Sequence, residues 1–365
     1  MTEMNPMFKH RTSSRRRRAI YRSRIIKILI PILILIVLIV AICLVVNHRQ
    51  NENTKDPDIE ISEGKAAEDV LNPVTTPPPI TEPPAVSTTP PVEEKAEFIH
   101  KTNQTVGLGD DFPSEFAILI DAQTGEILAE KNAFSFMNPA SMTKVLTLLV
   151  AVENITDTDG TFTMTREISE YCYVNECSVV GYIVDETVPI DELFYGCILS
   201  SGADACLGLA EIAVGSHEAF VDLMNEKLQE LGIAETAHVT NCVGLYDEAH
   251  GWTSADMALI MKAALENEKC RQILCTKIFD SVPTEKHPEG QFLSNWFVRS
   301  LEDQDNGDVI VLGGKRGYVP ESGNCAVSYG ETEDGQSFIC VTGNAYSQKQ
   351  AILDHAALYK EYCHS

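Results

Sequence analysis

The sequence is short of positive charge: 28 Lys and Arg stand against 53 Asp and Glu, a formal net charge of −25 over 365 residues. A surface that acidic repels phosphate, so nucleic acid is excluded as a partner. A glycine-rich phosphate loop and a dinucleotide fingerprint are also missing, and no residues stand at metal-ligand spacing. Neither a cofactor nor a metal is therefore expected. No internal repeat is present, as a solenoid would require. Apolar material is not lacking: 44% of residues are hydrophobic, enough for a sizeable core and too many for a wholly disordered chain. The length allows two average domains, or one large domain with appendages.

The charge is unevenly spread. Residues 1–46 hold nine basic residues (Lys9, Arg11, Arg15 to Arg18, Arg22, Arg24 and Lys27) against Glu3 alone, for +8, which leaves −33 on the remainder. Residues 25–46, IIKILIPILILIVLIVAICLVV, are apolar apart from Lys27 and as a helix reach about 33 Å, the thickness of a hydrocarbon core. The run is too long for the apolar region of a cleaved signal peptide, and no small-x-small site follows it. Ile42 before Cys43 is too bulky for lipoprotein processing. A buried helix of a soluble protein would leave the flanking arginines unexplained. The sequence predicts an uncleaved single-pass anchor with residues 1–24 as a basic cytoplasmic tail and everything beyond Asn47 outside. Residues 47–97 are polar and then proline-rich, with eight prolines between Pro73 and Pro91. They cannot bury a core, favour polyproline II, and are expected to form a disordered stalk.

From Phe98 to Ser365 the composition is that of one globular domain. FAILIDAQTGEILAEK, Phe116 to Lys131, is expected to be a β-hairpin, and SMTKVLTLLVAVEN after Pro139 a buried helix. Helices are also expected around Pro189 to Cys197, Ala203 to Val214, His217 to Leu231, Ser254 to Glu266 and Gln348 to Tyr362. VIVLGGKRGY, CAVSYG and SFICVTG have the pattern of successive strands. Strands at both ends with helices between them predict a mixed sheet covered by helices. Of eleven cysteines, ten lie outside the predicted anchor. Cys172/Cys177 and Cys270/Cys275 are local pairs that an oxidising space would permit to bond, while Cys197 and Cys206 sit in apolar contexts that suit buried thiols.

The chemistry centres on Ser141-Met142-Thr143-Lys144 at the start of the buried helix. A spacing of three puts Ser141 and Lys144 on one face, close enough for the amine to take the hydroxyl proton. That role asks for an uncharged amine, which neighbours such as Leu146 and Leu149 favour. The helix start also offers free N–H groups to a developing oxyanion. Alone this tetrapeptide is weak. It is followed by Ser200-Ser201-Gly202-Ala203 in a polar break between helices, and then by Gly313-Gly314-Lys315-Arg316-Gly317-Tyr318 on a strand whose glycines allow close approach. A helix-borne Ser–Lys pair, a loop serine and a strand lysine, in that order, match the three-motif layout of penicillin-binding proteins and β-lactamases.

NPASMTKVLT, LSSGADACLGLAE, FVDLMNEKLQELG, NCVGL, HGWTSADMALIM and GGKRGYVPESGNCAVS resemble, in order, the serine-type D-alanyl-D-alanine carboxypeptidases. The likeness runs from about Phe116 to Val341. It implies an α/β (α+β) fold, a mainly antiparallel sheet flanked by helices as in β-lactamases, in a catalytic domain spanning 98–365. It implies Ser141 as acylated nucleophile, Lys144 as its base and Ser201 as proton relay to the leaving group. Lys315, Arg316, Gly317 and Tyr318 would bind substrate, with the oxyanion held by the N–H groups of Ser141 and Tyr318. The partners implied are a peptidoglycan stem peptide, from which the terminal D-alanine is removed, and β-lactams. With the anchor, this places the protein in a bacterial cell membrane, its catalytic domain extracytoplasmic.

Two positions depart from the family's pattern: Ala203 stands where Asn is usual, and Arg316 where Thr or Ser contacts the terminal carboxylate. Arginine can make that contact by charge, or it can obstruct the cleft. These departures motivate the alternative of a weak or inactive relative that binds peptidoglycan or a protein partner. A β-lactamase is less well supported, since no glutamate motif for rapid deacylation is evident. Asn241, His250 and Asp256 read as structural, Arg299 as a surface residue within reach of substrate, and His238 as unremarked.

Overall fold

The computed structural model describes residues 98–364; the expected tail, membrane segment and stalk lie outside the described residues. Among those described, no helix is long and apolar enough to cross a membrane. Six strands build the main sheet: β1 (Val106–Gly107), β2 (Phe116–Asp121), β3 (Ile127–Lys131), β4 (Ile310–Val319), β5 (Gly323–Glu331) and β6 (Ser337–Ala345). Their spatial order is β1-β3-β2-β6-β5-β4. Every neighbouring pair is antiparallel except β1 with β3. The expected hairpin is β2–β3, and β2 closes the domain by pairing with β6, Phe116 opposite Gly343 and Asp121 opposite Phe338.

Both faces of this sheet are covered, which is why β2 and β6 are continuous apolar runs rather than alternating ones. Ile118 and Ile120 of β2, with Ile339 and Val341 of β6, enter the larger core. Ala117, Leu119, Phe338 and Cys340 point the other way into a second core.

Nine helices complete the described domain: α1 (Thr143–Asn154), α2 (Arg166–Val174), α3 (Ile190–Leu199), α4 (Ala203–Val214), α5 (His217–Glu230), α6 (Ser254–Glu266), α7 (Glu268–Leu274), α8 (Trp296–Glu302) and α9 (Gln348–Tyr362). Every residue of α1 from Thr143 to Ala151 is buried, as a helix apolar on all sides must be. Phe297, Val298 and Leu301 of α8 and Ile352, Leu358 and Tyr359 of α9 cover the second face.

The helix starts follow local chemistry. Thr253 caps α6 in a reciprocal capping box with Asp256, Ser347 caps α9 through the Gln350 N–H, and Gly215 ends α4 in the left-handed region at φ +81°. The short helices α2, α7 and α8 were not evident from periodicity, having too few turns to display it. Three pieces of this frame converge on one cleft: the start of α1, the junction between α3 and α4, and the edge strand β4.

Candidate active site

Ser141 lies in the single 3₁₀ turn Ala140–Met142 that leads into α1. One turn later, Lys144 is 2% exposed, and its Nζ donates to Ser141 Oγ at 3.1 Å and to the Val243 carbonyl at 2.5 Å. That carbonyl is presented by a turn built on Asn241, whose Oδ1 accepts the N–H groups of Val243, Gly244 and Leu245 at 3.2, 2.7 and 3.0 Å. Gly244 has φ +80°, and a Cβ there would lie 2.1 Å from the Ala140 carbonyl oxygen. Only glycine lets this turn sit against the backbone beside Ser141. Asn241 is thus structural, as expected, but what it structures is the lysine's acceptor.

His250 braces the same turn from behind. Its Nδ1 accepts the Thr240 N–H at 3.1 Å, so Nε2 carries the proton and donates to Thr143 Oγ1 at 2.8 Å. The Thr143 hydroxyl donates in turn to the Ala140 carbonyl at 2.7 Å. Burial pushes the imidazole down to about 4, which keeps it neutral, and the two hydrogen bonds select this tautomer.

Across the cleft, Lys315 Nζ donates to Ser201 Oγ at 2.9 Å and to the Arg316 carbonyl at 2.7 Å. Burial, reinforced by the positive charges of Lys144 and Arg316, holds the Lys315 ammonium well below its ordinary range. Ser201 has φ +56°, a left-handed conformation that costs a non-glycine residue about 1–3 kcal/mol and persists where the surroundings impose it. Gly317 is the point of closest approach: a Cβ would fall 2.6 Å from the Pro139 carbonyl oxygen and 2.7 Å from the Ser141 nitrogen. Lys315, Ser201 and Ser141, distant in sequence, therefore line one cleft of about 480 Å³ together with Gly317 and Tyr318, and Lys144 reaches it through its bond to Ser141.

Arg316 alternates outward from Lys315 on β4. It lies over the Trp296 ring, 5.8 Å from its centroid, and with the Gln348 amide turned oxygen-inward it donates to that oxygen through Nη1 and Nε at 2.5 and 3.2 Å. Phe292 and Trp296 form the apolar rim beside it. Asn295 ties that rim to the sheet, its Nδ2 donating to the Gly314 carbonyl at 2.8 Å.

Arg299 is exposed and donates to Ser294 Oγ at 3.0 Å, and His238 pairs through its backbone with Gly251. The ten described cysteines are free thiols, so neither local pair is bridged. Among the described residues no group of three or more His, Cys, Asp or Glu side chains is placed to hold a metal. Surface cavities of about 450 and 660 Å³ lie elsewhere, but neither contains a serine–lysine pair. The Val243 carbonyl could not have been found by looking for reactive side chains, because it is backbone.

A two-faced, mainly antiparallel sheet with a buried central helix and facing Ser–Lys pairs is the frame of the penicillin-recognising serine enzymes. The chain superposes on the Streptomyces K15 DD-transpeptidase with a TM-score of 0.62 at 24% identity, over 69% of this chain and 98% of that one. It superposes on a D-alanyl-D-alanine carboxypeptidase from Mycobacterium tuberculosis H37Rv with a TM-score of 0.58 at 26% identity, over 68% and 92%. The profile of peptidase family S11, D-alanyl-D-alanine carboxypeptidase, matches residues 101–347, and the chain belongs to that family. It is similar to the D-alanyl-D-alanine carboxypeptidases DacF of Bacillus subtilis (35% identical over 154 residues, 42% of this chain and 39% of that protein) and DacA of Escherichia coli K12 (34% over 165 residues, 42% and 40%). These alignments span about two-fifths of each relative's length.

Proposed function

We propose that the protein is a serine-type D,D-carboxypeptidase that removes the terminal D-alanine of peptidoglycan stem peptides. The observation that carries this reading is the meeting of Ser141 with Lys144, and of Ser201 with Lys315, across one cleft. In the first step Ser141 Oγ attacks the carbonyl carbon of the penultimate residue, and its proton passes to the Lys144 amine. The Val243 carbonyl takes one N–H of that amine and so holds Nζ 3.1 Å from Ser141 Oγ, within reach of the serine's proton. The oxyanion forms where Gly317 brings β4 against the Ser141 N–H, with the Tyr318 N–H as second donor. Breaking the C–N bond releases D-alanine, whose amine takes a proton through Ser201, and water then hydrolyses the ester and restores Ser141.

β4 is the edge of the sheet, so an extended peptide can pair with its free side. There Arg316, held by Trp296 and Gln348, meets the substrate's terminal carboxylate in place of the usual hydroxyl. A β-lactam presents the same carbonyl and carboxylate and acylates Ser141. The membrane anchor at residues 25–46, the stalk to residue 97 and an extracytoplasmic catalytic domain belong to the same proposal, and the charge pattern of the first 46 residues supports them.

Intact-mass analysis after exposure to a labelled penicillin tests the chemistry. An adduct on the folded wild type that maps to Ser141 and is absent from Ser141→Ala is expected, together with D-alanine release from a peptide ending in D-Ala-D-Ala. A folded wild type that takes up no label rejects the reading. Protease digestion of intact cells and of lysed cells tests the topology, since an extracytoplasmic domain is shaved in both.

A further inference from the structure

Asp204 is 3% exposed in the first turn of α4, three residues after Ser201. Its charge is met by backbone rather than by a cation. Oδ1 accepts the N–H groups of Val180 and Ala205 at 2.9 and 3.0 Å, and Oδ2 those of Gly181 and Tyr182 at 3.0 and 3.2 Å. Three of these donors belong to one extended segment, which continues to Ser178. The Ser178 carbonyl accepts the Ala203 N–H at 2.8 Å, and the residue lines the cleft with Ser141 and Ser201. Between the segment and α4, Gly202 leaves no room: a Cβ would lie 2.5 Å from Val180 Cγ2 and 3.0 Å from the Val180 nitrogen.

We propose that Asp204 is a positioning residue for acyl transfer, clamping residues 178–182 onto the Ser201 loop so that the loop keeps its left-handed conformation and Ser178 faces the cleft. The inference rests on the reading that Ser141 and Ser201 carry the chemistry. Ser201 at φ +56° is stable only if its flanks over-determine it. Two bonds do this directly, Gly202 N–H to the Gly196 carbonyl at 3.0 Å and Ala203 N–H to the Ser178 carbonyl. The second depends on where the segment lies, and the carboxylate sets that position. An asparagine in its place would turn an NH₂ group toward backbone donors, opposing at least one of the three bonds. Ala203 joins the clamp through its backbone, and its small side chain is 1% exposed.

The test is the second-order rate of Ser141 acylation by a labelled penicillin, measured per folded molecule for wild type, Asp204→Asn, Asp204→Glu and Gly181→Ala. Gly181 is partly exposed with φ +107°, and a Cβ there would meet only the tip of the Gln291 side chain, at 3.9 Å, so alanine strains the segment through its backbone while leaving the core intact. Asp204→Asn is expected to acylate about 10- to 100-fold more slowly, and the other two variants about 3- to 30-fold more slowly. Asp354→Asn serves as the stability control: Asp354 bonds Ser114 on the far side of the sheet at 2.6 Å, so this variant loses stability but keeps its acylation rate. Wild-type rates in the folded Asp204 variants overturn the inference, and if neither Asp204 variant folds, a wild-type rate in Gly181→Ala does so. A wild type that is never labelled refutes instead the functional reading beneath it.

Discussion

Lys144 and Lys315 are both buried at 2% exposure, yet their partners differ in kind. Lys144 faces a serine and a carbonyl presented by the turn built on Asn241, whereas Lys315 faces a serine and the carbonyl of its own neighbour. Lys144→Arg keeps a nitrogen donor in place but removes the base of the proposed mechanism, because guanidinium does not give up a proton near neutral pH. Acylation by penicillin is expected to fall by about 10²–10⁴-fold with the fold intact, as followed by stopped-flow labelling. Arg316 is the residue on which the sequence left two outcomes open. Seated over Trp296 and bonded to Gln348, it is held among the residues that line the cleft. Arg316→Thr is therefore expected to raise the KM for a D-Ala-D-Ala peptide by about 10- to 100-fold, the loss of one charge-assisted contact. A gain in acylation would mean that arginine obstructs the cleft after all.

At the scale of elements, two glycines let backbones touch beside Ser141. Gly317→Ala places a methyl 2.7 Å from the Ser141 nitrogen, so β4 must move away from the nucleophile. Acylation is expected to drop by about 10²-fold with little change in melting temperature, since an edge strand shifts more easily than a core. Gly244→Ala meets both a positive φ and the Ala140 carbonyl, and should destabilise the fold by about 1–3 kcal/mol in urea unfolding. The long elements were legible because their boundary chemistry is local: α4, α6 and α9 occupy the expected spans, Ala203–Val214, Ser254–Glu266 and Gln348–Tyr362. The helices α7 and α8 were not, since each is seven residues long and gains its stability from packing rather than from pattern. The hairpin that pairs Ile278–Asp280 with Phe292–Ser294 was missed for the same reason, although Phe292 and Ser294 line the cleft.

For the whole molecule, burial holds two histidines uncharged, which makes stability depend on acid. His355 lies between Ser328 Oγ at 2.7 Å and Thr342 Oγ1 at 3.0 Å, and burial pushes it down to about 3, as it pushes His250 down to about 4. In the unfolded chain both titrate near 6.5, so as pH falls the unfolded state binds their protons first. Their contribution is complete above about pH 6.5 and declines below it by up to about 1.4 kcal/mol per pH unit for each imidazole. The decline levels off near pH 4 for His250 and near pH 3 for His355. Urea melts between pH 7 and 4.5 should show this slope, and a flat profile contradicts it. The sequence by itself determined that Ser141 and Lys144 stand together, because three residues of helix place them on one face wherever the helix lies. It determined the long helices through caps and apolar pattern, and the order of the three motifs along the chain. Only the tertiary structure decided that Ser201 and Lys315, 114 residues apart, meet beside that pair. It also decided that a backbone carbonyl orients Lys144, that Asp204 grips the segment beside Ser201, and that Arg316 lies along the wall. Those are matters of distance between separate elements, and distance is set by how two cores pack on the faces of one sheet.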